Sequence, residues 1–254
     1  MPAAGHGGQA VLCAHIEDLC GFVRRRGIPR FTDFLDEYAQ SVAQGVLRRQ
    51  AQGCRWMWYG GYEEAGRRLL GIFPEGQEPS AEAFPLTALR TPIPKGFTLT
   101  HRDFLGAALA LGIKREVVGD ILITGEFAVL FALPQVGELI CRELRQAGRA
   151  GICFTETDAQ DIHYVQRFEQ SEKSVASLRL DGVVAALLDC ARSEAAEKIL
   201  QGLVSVNGFT EEKCTRQLSG GERISVRGRG KFIVLADGRV TRKGRQLIQI
   251  KRFV

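Results

Sequence analysis

The residues with the clearest chemical capacity lie toward the carboxyl end of the chain. Arg227-Gly228-Arg229-Gly230-Lys231 sets three cations at alternate positions with glycines between them, and Lys243 and Arg245 follow. Arginine presents a planar fork that matches phosphate oxygens. The intervening glycines let the backbone come close to a phosphate. Contacts of this kind hold a polyanion without reading much sequence. The charge distribution points the same way. Residues 171–254 carry 16 Lys/Arg against 9 Asp/Glu, a balance of +7, while residues 1–170 balance at −2. The net +5 of this 254-residue chain therefore comes from its last third. Nucleic acid is the first candidate partner.

Other chemistries find less footing. His101-Arg102-Asp103 imitates a kinase catalytic loop, but Ala108 stands where the Asn would be and no Gly-rich nucleotide loop precedes it. Thr100 and Asp103 read instead as a helix-capping box. His101 and Arg102 are kept as secondary residues, for RNA contact or for structure. The seven cysteines are scattered, none is spaced Cys-x-x-Cys, and no His lies three to five residues from another. No metal, cofactor or disulfide framework is expected, and the thiols read as reduced. No apolar run approaches the ~18–20 residues that cross a bilayer, and Met1–Gln9 lacks a signal-peptide pattern. The expectation is a cytoplasmic protein with no membrane partner. With 45% hydrophobic and 25% charged residues, the chain is foldable and not disordered.

Three segments must position these residues, with boundaries expected at 1–75, 84–168 and 175–254. The first reads as mainly helical with a short sheet. A helix covers about Ala10 to Arg25, a second opens at Thr32 as N-cap, Trp56–Tyr59 forms a strand, and Arg67–Ile72 closes a third helix. Pro74–Pro85 is a linker. The second segment reads strand (Leu86–Ile93), helix (from Thr100), strands (Val117–Thr124 and Phe127–Leu133), helix (Val136–Gln146) and strand (Gly151–Thr155). That order is the ferredoxin-like βαββαβ arrangement, shared by RRM domains. Pro92 and Pro94 push its first strand toward an edge. Thr124-Gly125-Glu126-Phe127 does not supply the basic-Gly-aromatic opening of an RRM hallmark strand, so stacking of bases on this sheet is not expected. After a polar stretch, Glu169–Ser174, the third segment has two helices. Leu180, Val183, Val184, Leu187 and Leu188 fall on one helical face, and Ala196, Ile199, Leu200 and Leu203 repeat it. A small twisted sheet follows, with its turn at Asn207-Gly208. The fold class is α+β.

The third segment resembles the S-four-type RNA-binding domain, named for a small-subunit ribosomal protein. The matching residues are Arg179-Leu180-Asp181, Ala191-Arg192-Ser193, Leu203-Val204-Ser205-Val206-Asn207-Gly208 and Gly220-Gly221-Glu222-Arg223-Ile224-Ser225-Val226-Arg227-Gly228. Ala191 and Glu222 depart mildly from the usual Ser and Asp. The resemblance implies that Arg179, Arg192 and Lys198 lie on an RNA-gripping helical side, with Arg227, Arg229 and Lys231 beside them. Across nearly its whole length the chain is similar to the YlmH family. The carriers are Phe31-Thr32-Asp33-Phe34-Leu35-Asp36, Gly60-Gly61-Tyr62-Glu63-Glu64-Ala65, Leu99–Ala107, Leu111–Glu116, Gly119-Asp120-Ile121 and Thr241-Arg242-Lys243-Gly244-Arg245. Gly66 replaces the acid more usual before Arg67. This likeness implies an RqcP-like, stand-alone RNA-binding protein of ribosome-associated quality control. It would dock on large-subunit ribosomal RNA and peptidyl-tRNA, support RqcH, and be a monomer off the ribosome.

Two other function classes are weighed. An RNA-modifying enzyme can use the same module as its grip. A pseudouridine synthase needs a catalytic Asp in a Gly-Arg-Leu-Asp type motif, and the one Arg-Leu-Asp here lies inside the module. A methyltransferase needs a Gly-x-Gly turn into a helix, whereas Gly228-Arg229-Gly230 leads into a strand. A non-enzyme is expected. A cell-division factor, known within the family, is the further alternative, although coiled-coil heptads and an amphipathic membrane helix are lacking.

Overall fold

The computed structural model of the chain describes residues 6–159, 162 and 168–253. Helix α1 (His6–Arg26) is followed by β1 (Arg30–Phe31), α2 (Glu37–Gln50), β2 (Cys54–Tyr59) and β3 (Leu69–Pro74). The three strands form an antiparallel sheet in the order β1-β3-β2. The second helix opens later than expected. Asp36 is its cap, accepting from the Ala39 N–H at 2.9 Å. The Thr32 hydroxyl instead accepts from the Leu70 N–H at 3.0 Å, which ties this stretch to β3. The helix expected over Arg67–Ile72 is a strand for a reason visible in its packing. Leu70 and Ile72 face α1 and α2, while Leu69 and Phe73 face an aromatic cluster on the other side. A strand buried on both faces shows a continuous apolar run and no period.

The next elements are β4 (Thr87–Pro92), α3 (His101–Ala110), β5 (Val118–Ile123), β6 (Phe127–Ala132), α4 (Pro134–Glu143), the short pair β7 (Gln146–Ala147) and β8 (Ala150–Gly151), and β9 (Thr155–Thr157). Apart from the β7–β8 pair, this is the expected strand-helix-strand-strand-helix-strand succession. The four-stranded sheet runs β5-β6-β4-β9, antiparallel throughout. The expected edge strand, β4, is therefore internal. Only Ala88–Arg90 pair with β9, so Pro92, which has no N–H to give, lies past that ladder. One face of the sheet, with Leu89, Ala128 and Leu130, packs on Phe104 of α3 and Ile140 of α4. The opposite face, with Ala88, Leu122, Val129 and Phe131, packs on Phe34, Leu69, Phe73 and Phe84. This second cluster joins the two segments expected as separate domains into one compact unit, Met1–Tyr164.

The other compact unit is Val165–Val254. It contains β10 (Phe168–Val175), α5 (Leu180–Leu188), α6 (Arg192–Leu200), β11 (Val204–Val206), β12 (Phe209–Thr210), β13 (Glu222–Val226), β14 (Gly230–Leu235) and β15 (Gln246–Phe253). Its sheet runs β10-β15-β14-β13-β11-β12. The polar stretch Glu169–Ser174 is thus not a connector. It lies in β10 and pairs residue by residue with β15 from Phe168↔Phe253 to Val175↔Gln246, so this unit starts before residue 175. Leu180, Val183 and Val184 of α5, with Ala195 and Ile199 of α6, cover Val204, Ile224, Val226, Val234 and Ile248 of the sheet. The whole is a mixed helix-and-sheet protein, as expected. Among the described residues no helix is long and apolar enough to cross a membrane, and no group of three metal-ligating side chains occurs.

Candidate nucleic-acid interface

The α5–α6 hairpin positions the first candidate cations. Helix α5 buries an acid in its opening turn: Asp181 is 5% exposed. A carboxylate there needs strong partners to remain charged. It has three. Arg179 Nη2 donates to Oδ2 at 2.8 Å, Arg192 Nη2 donates to Oδ1 at 2.9 Å and to Oδ2 at 3.0 Å, and the Gly182 N–H donates to Oδ1 at 2.7 Å. Burial alone would raise the carboxyl's pKa. The bonds from Arg179, Arg192 and Gly182 outweigh it and hold the group at about 2. One carboxylate therefore orients two guanidinium groups whose side chains are 35% and 55% exposed. The triad keeps one net positive charge and two forks with donors to spare.

Helix α5 ends at Asp189, whose φ of 51° turns the chain back toward α6. Lys198, near the end of α6, pairs with Glu194 one turn earlier at 3.4 Å. Arg227 and Arg229 occupy the tight turn between β13 and β14, where the Arg229 N–H bonds the Val226 carbonyl at 2.9 Å. Gly228 carries a φ of 76° in this turn, so its glycine serves the turn itself. Burial raises the Cys190 thiol's pKa, with Glu194 adding to it, while Lys198 and Arg229 pull it down. Both cations thus lie within electrostatic reach of the α5–α6 junction. Lys231 is the second residue of β14, opposite Ser225, and Lys243 is exposed on the turn before β15. Arg245 is tethered: Nε donates to Ser174 Oγ at 3.2 Å and Nη2 to the Ser174 carbonyl at 2.7 Å.

Sequence reasoning misses the acids that organise these cations. In the sequence Asp181 is one letter of a motif, with no sign that it is the hub of Arg179 and Arg192. Arg216 bridges Glu211 at 2.8 Å and Glu222 at 2.9 Å. Glu222 also accepts from the Ser219 N–H at 2.7 Å and from Asn207 Nδ2 at 3.2 Å, pinning the Asn207-Gly208 turn. The longer Glu at the position usually held by Asp fits this network. The available signal is three acids, Glu211, Glu212 and Glu222, in a segment that is basic overall.

In the amino-terminal unit, His101 and Arg102 open α3 and are both exposed. Asp103 accepts from the Thr100 N–H and hydroxyl, each at 2.7 Å, the capping pattern read from the sequence. Desolvation pushes the His101 pKa down, the nearby Arg115 pushes it further, and Asp120 opposes them. Asp120 accepts from Tyr62 Oη at 2.9 Å and from the Gly66 N–H at 2.6 Å, while Arg67 donates to the carbonyls of Phe34 at 2.8 Å, Val118 at 3.1 Å and Arg115 at 3.2 Å. The Gly60-Gly61-Tyr62 and Gly66-Arg67 stretches are thus accounted for by packing. The face of the four-stranded sheet away from α3 and α4 is closed, since Val129 is 1% exposed and Phe131 fully buried.

Residues 79–161 match the family model described as "Putative RNA-binding domain in YlmH". Over 225 residues the chain is 28% identical to "Ribosome-associated protein quality control protein P2" of Bacillus subtilis (strain 168), covering 88% of this chain and 87% of that protein. A solved structure, "Cell division protein ylmH from Streptococcus pneumoniae", overlays with a TM-score of 0.50 at 17% identity, covering 62% of this chain and 95% of that one. That overlay is a likeness of fold. The expected resemblance to the YlmH family is borne out by the family-model match and by the similarity to the Bacillus subtilis protein.

Proposed function

We propose that this chain is a non-catalytic RNA-binding protein of ribosome-associated quality control, with the carboxyl-terminal unit as its principal grip. We read that unit as S-four-like and residues 84–168 as an RRM-like domain whose sheet face is occupied by its own chain. The observation that carries the reading is the Arg179–Asp181–Arg192 clamp, two half-exposed guanidinium groups pre-oriented by one buried carboxylate. Pre-orientation lowers the side-chain entropy lost when each fork meets a phosphate. Lys198, Arg227, Arg229, Lys231, Lys243 and Arg245 extend the cationic surface, and His101 and Arg102 serve either as secondary RNA contacts or in the structure of α3. The partners on this reading are large-subunit ribosomal RNA and peptidyl-tRNA, with RqcH acting on the same particles. The mechanism is steric and electrostatic: an RNA geometry is held and no bond is changed. The similarity to the Bacillus subtilis protein supports the ribosomal context.

The pseudouridine-synthase alternative is disfavoured by one specific finding. The Asp of the Arg-Leu-Asp triplet is buried and committed to two ion pairs, so it is not presented to a substrate base. The test is purification of the tagged chain from cells. Large subunits carrying peptidyl-tRNA should come with it, and their absence at low salt would refute the proposal. Mapping of modified bases in the bound RNA separates binder from enzyme, since a new modification that depends on this protein would establish catalysis.

A further inference from the structure

Next to the clamp lies an open cleft of about 570 Å³, lined by the end of β10, the outer face of α5 and the residues where α5 gives way to α6. One wall is α5 at helical spacing, Gly182, Ala185, Ala186 and Asp189. All but the last are small, so the wall is low and flat. Facing it are Ser174 and Ser177, which bring hydroxyl and main-chain groups. Arg192 and Arg245 join the lining from two further directions, with Lys173 paired to Asp189. Three cations thus meet one acid. Each arginine spends only part of its fork within the protein: Arg192 uses Nη2 on Asp181, and Arg245 uses Nε and Nη2 on Ser174. Among the described residues, Arg192 Nε and Nη1 and Arg245 Nη1 have no partner and are open to an anion.

We propose that this cleft receives a single unpaired RNA nucleotide, its phosphate held by Arg192 and Arg245 and its nucleoside laid along Gly182, Ala185 and Ala186. This inference rests on the RNA-binding reading and adds to it a preference for one type of RNA feature. A volume in the ordinary range of small-ligand pockets is far more than a bare phosphate needs and far too little for a duplex. Unpaired nucleotides are the part of RNA that can be splayed into such a recess and recognised there. The proposal also explains why Arg245, distant in sequence from the two helices, is fixed to Ser174: the tether places its guanidinium beside the same cleft as Arg192.

The test uses the full chain and two labelled RNA hairpins, one fully paired and one with a single-nucleotide bulge, each of the four bases being tried in turn. The unsubstituted chain should prefer the best bulged hairpin by about tenfold, the effect of roughly one well-stacked or hydrogen-bonded base. Gly182→Leu fills the cleft at a position where an added Cβ meets nothing nearer than the Ser177 carbonyl oxygen at 3.9 Å, so the helix should tolerate it. That variant should lose the preference for the bulged hairpin. Ala186→Met, one turn along and outside the clamp, should lose the preference and keep its affinity for the paired hairpin, and it carries the test should Gly182→Leu fail to fold. A preference that survives both fillings, or no preference in the original chain, overturns the proposal while the RNA-binding reading stands. Binding to neither hairpin overturns both. Displacement of the bulged hairpin by free uridine 5′-monophosphate would assign the cleft to a free nucleotide instead.

Discussion

Replacing Asp181 by Asn isolates the charge that organises the interface. The side chain keeps its shape and can still accept from the Gly182 N–H, but two guanidinium groups lose their counter-charge. The magnitude follows from the carboxyl's titration, held at about 2 against 3.8 for a free aspartate. A difference of nearly two pH units corresponds to about 2 kcal/mol of stability at neutral pH. Solvent around the exposed sides of Arg179 and Arg192 keeps the value from being larger. For a unit of this size, that loss lowers the unfolding midpoint by about 10 °C. The folded pKa is depressed, so the contribution is complete above the unfolded value near 4 and disappears as pH falls toward 2. The assay is unfolding of the full chain, with hydrogen exchange at the Val183 and Val184 amides of α5 reporting this unit alone. A midpoint for Asp181→Asn equal to the parent's at pH 7 would refute the clamp as a source of stability. A gap that does not close between about pH 5 and about pH 2 would show that the carboxylate charge is not its source. The same geometry warns against reading Arg192→Ala as a pure binding variant. It leaves a buried carboxylate with one of its two cationic partners, so weaker RNA binding must be measured beside stability.

Further outcomes follow from other parts of the fold. If the interface neutralises about five phosphates, log affinity should fall with log salt at a slope near −4 to −5, and Arg227→Ala and Arg229→Ala should each flatten it by about 1; a salt-independent affinity contradicts the electrostatic mechanism. Gly61→Ala should destabilise the amino-terminal unit by ~3 kcal/mol or more, because its Cβ would sit 2.3 Å from the buried Phe131 ring at a φ of 96°, and an unchanged melting curve would show that the ring can move. Arg67→Ala removes the donor to three main-chain carbonyls and should cost roughly 3 kcal/mol in denaturant unfolding. Arg67→Lys should restore only part of it, since a point charge cannot span the three acceptors.

Much of the architecture is legible in the sequence because it is locally encoded. The α5 stripe at Leu180, Val183 and Val184, the Thr100–Asp103 cap and the Asn207-Gly208 turn each follow from residues a few positions apart. What escapes local reading is set by distant partners. Glu169–Ser174 has neither the alternation nor the β-branched content of a strand, and it becomes one because β15 supplies a complete ladder. Leu69–Pro74 could be a helix or a strand until packing on two faces decides it. The cationic candidates are readable as a set, since residue type and the S-four resemblance both mark them. Their organisation is not. Nothing in Arg179-Leu180-Asp181 announces that the acid lies inside the fold and reaches Arg192 across a helix junction.

The β10–β15 pairing carries a consequence for how this molecule is made. Phe168 and Phe253 lie at opposite ends of the carboxyl-terminal unit's sequence, yet they are ladder partners with rings 5.0 Å apart. The unit is laced shut by its first and last strands, a high-contact-order closure that must wait for the final element. Until β15 emerges, β10 has no partner and β14 exposes an edge of alternating Phe232 and Val234. A chain interrupted between residues 236 and 245 would therefore leave two open sheet edges, the form most prone to pair with another molecule. It would also lack Arg245 beside the cleft, so a truncated copy is disarmed as well as sticky.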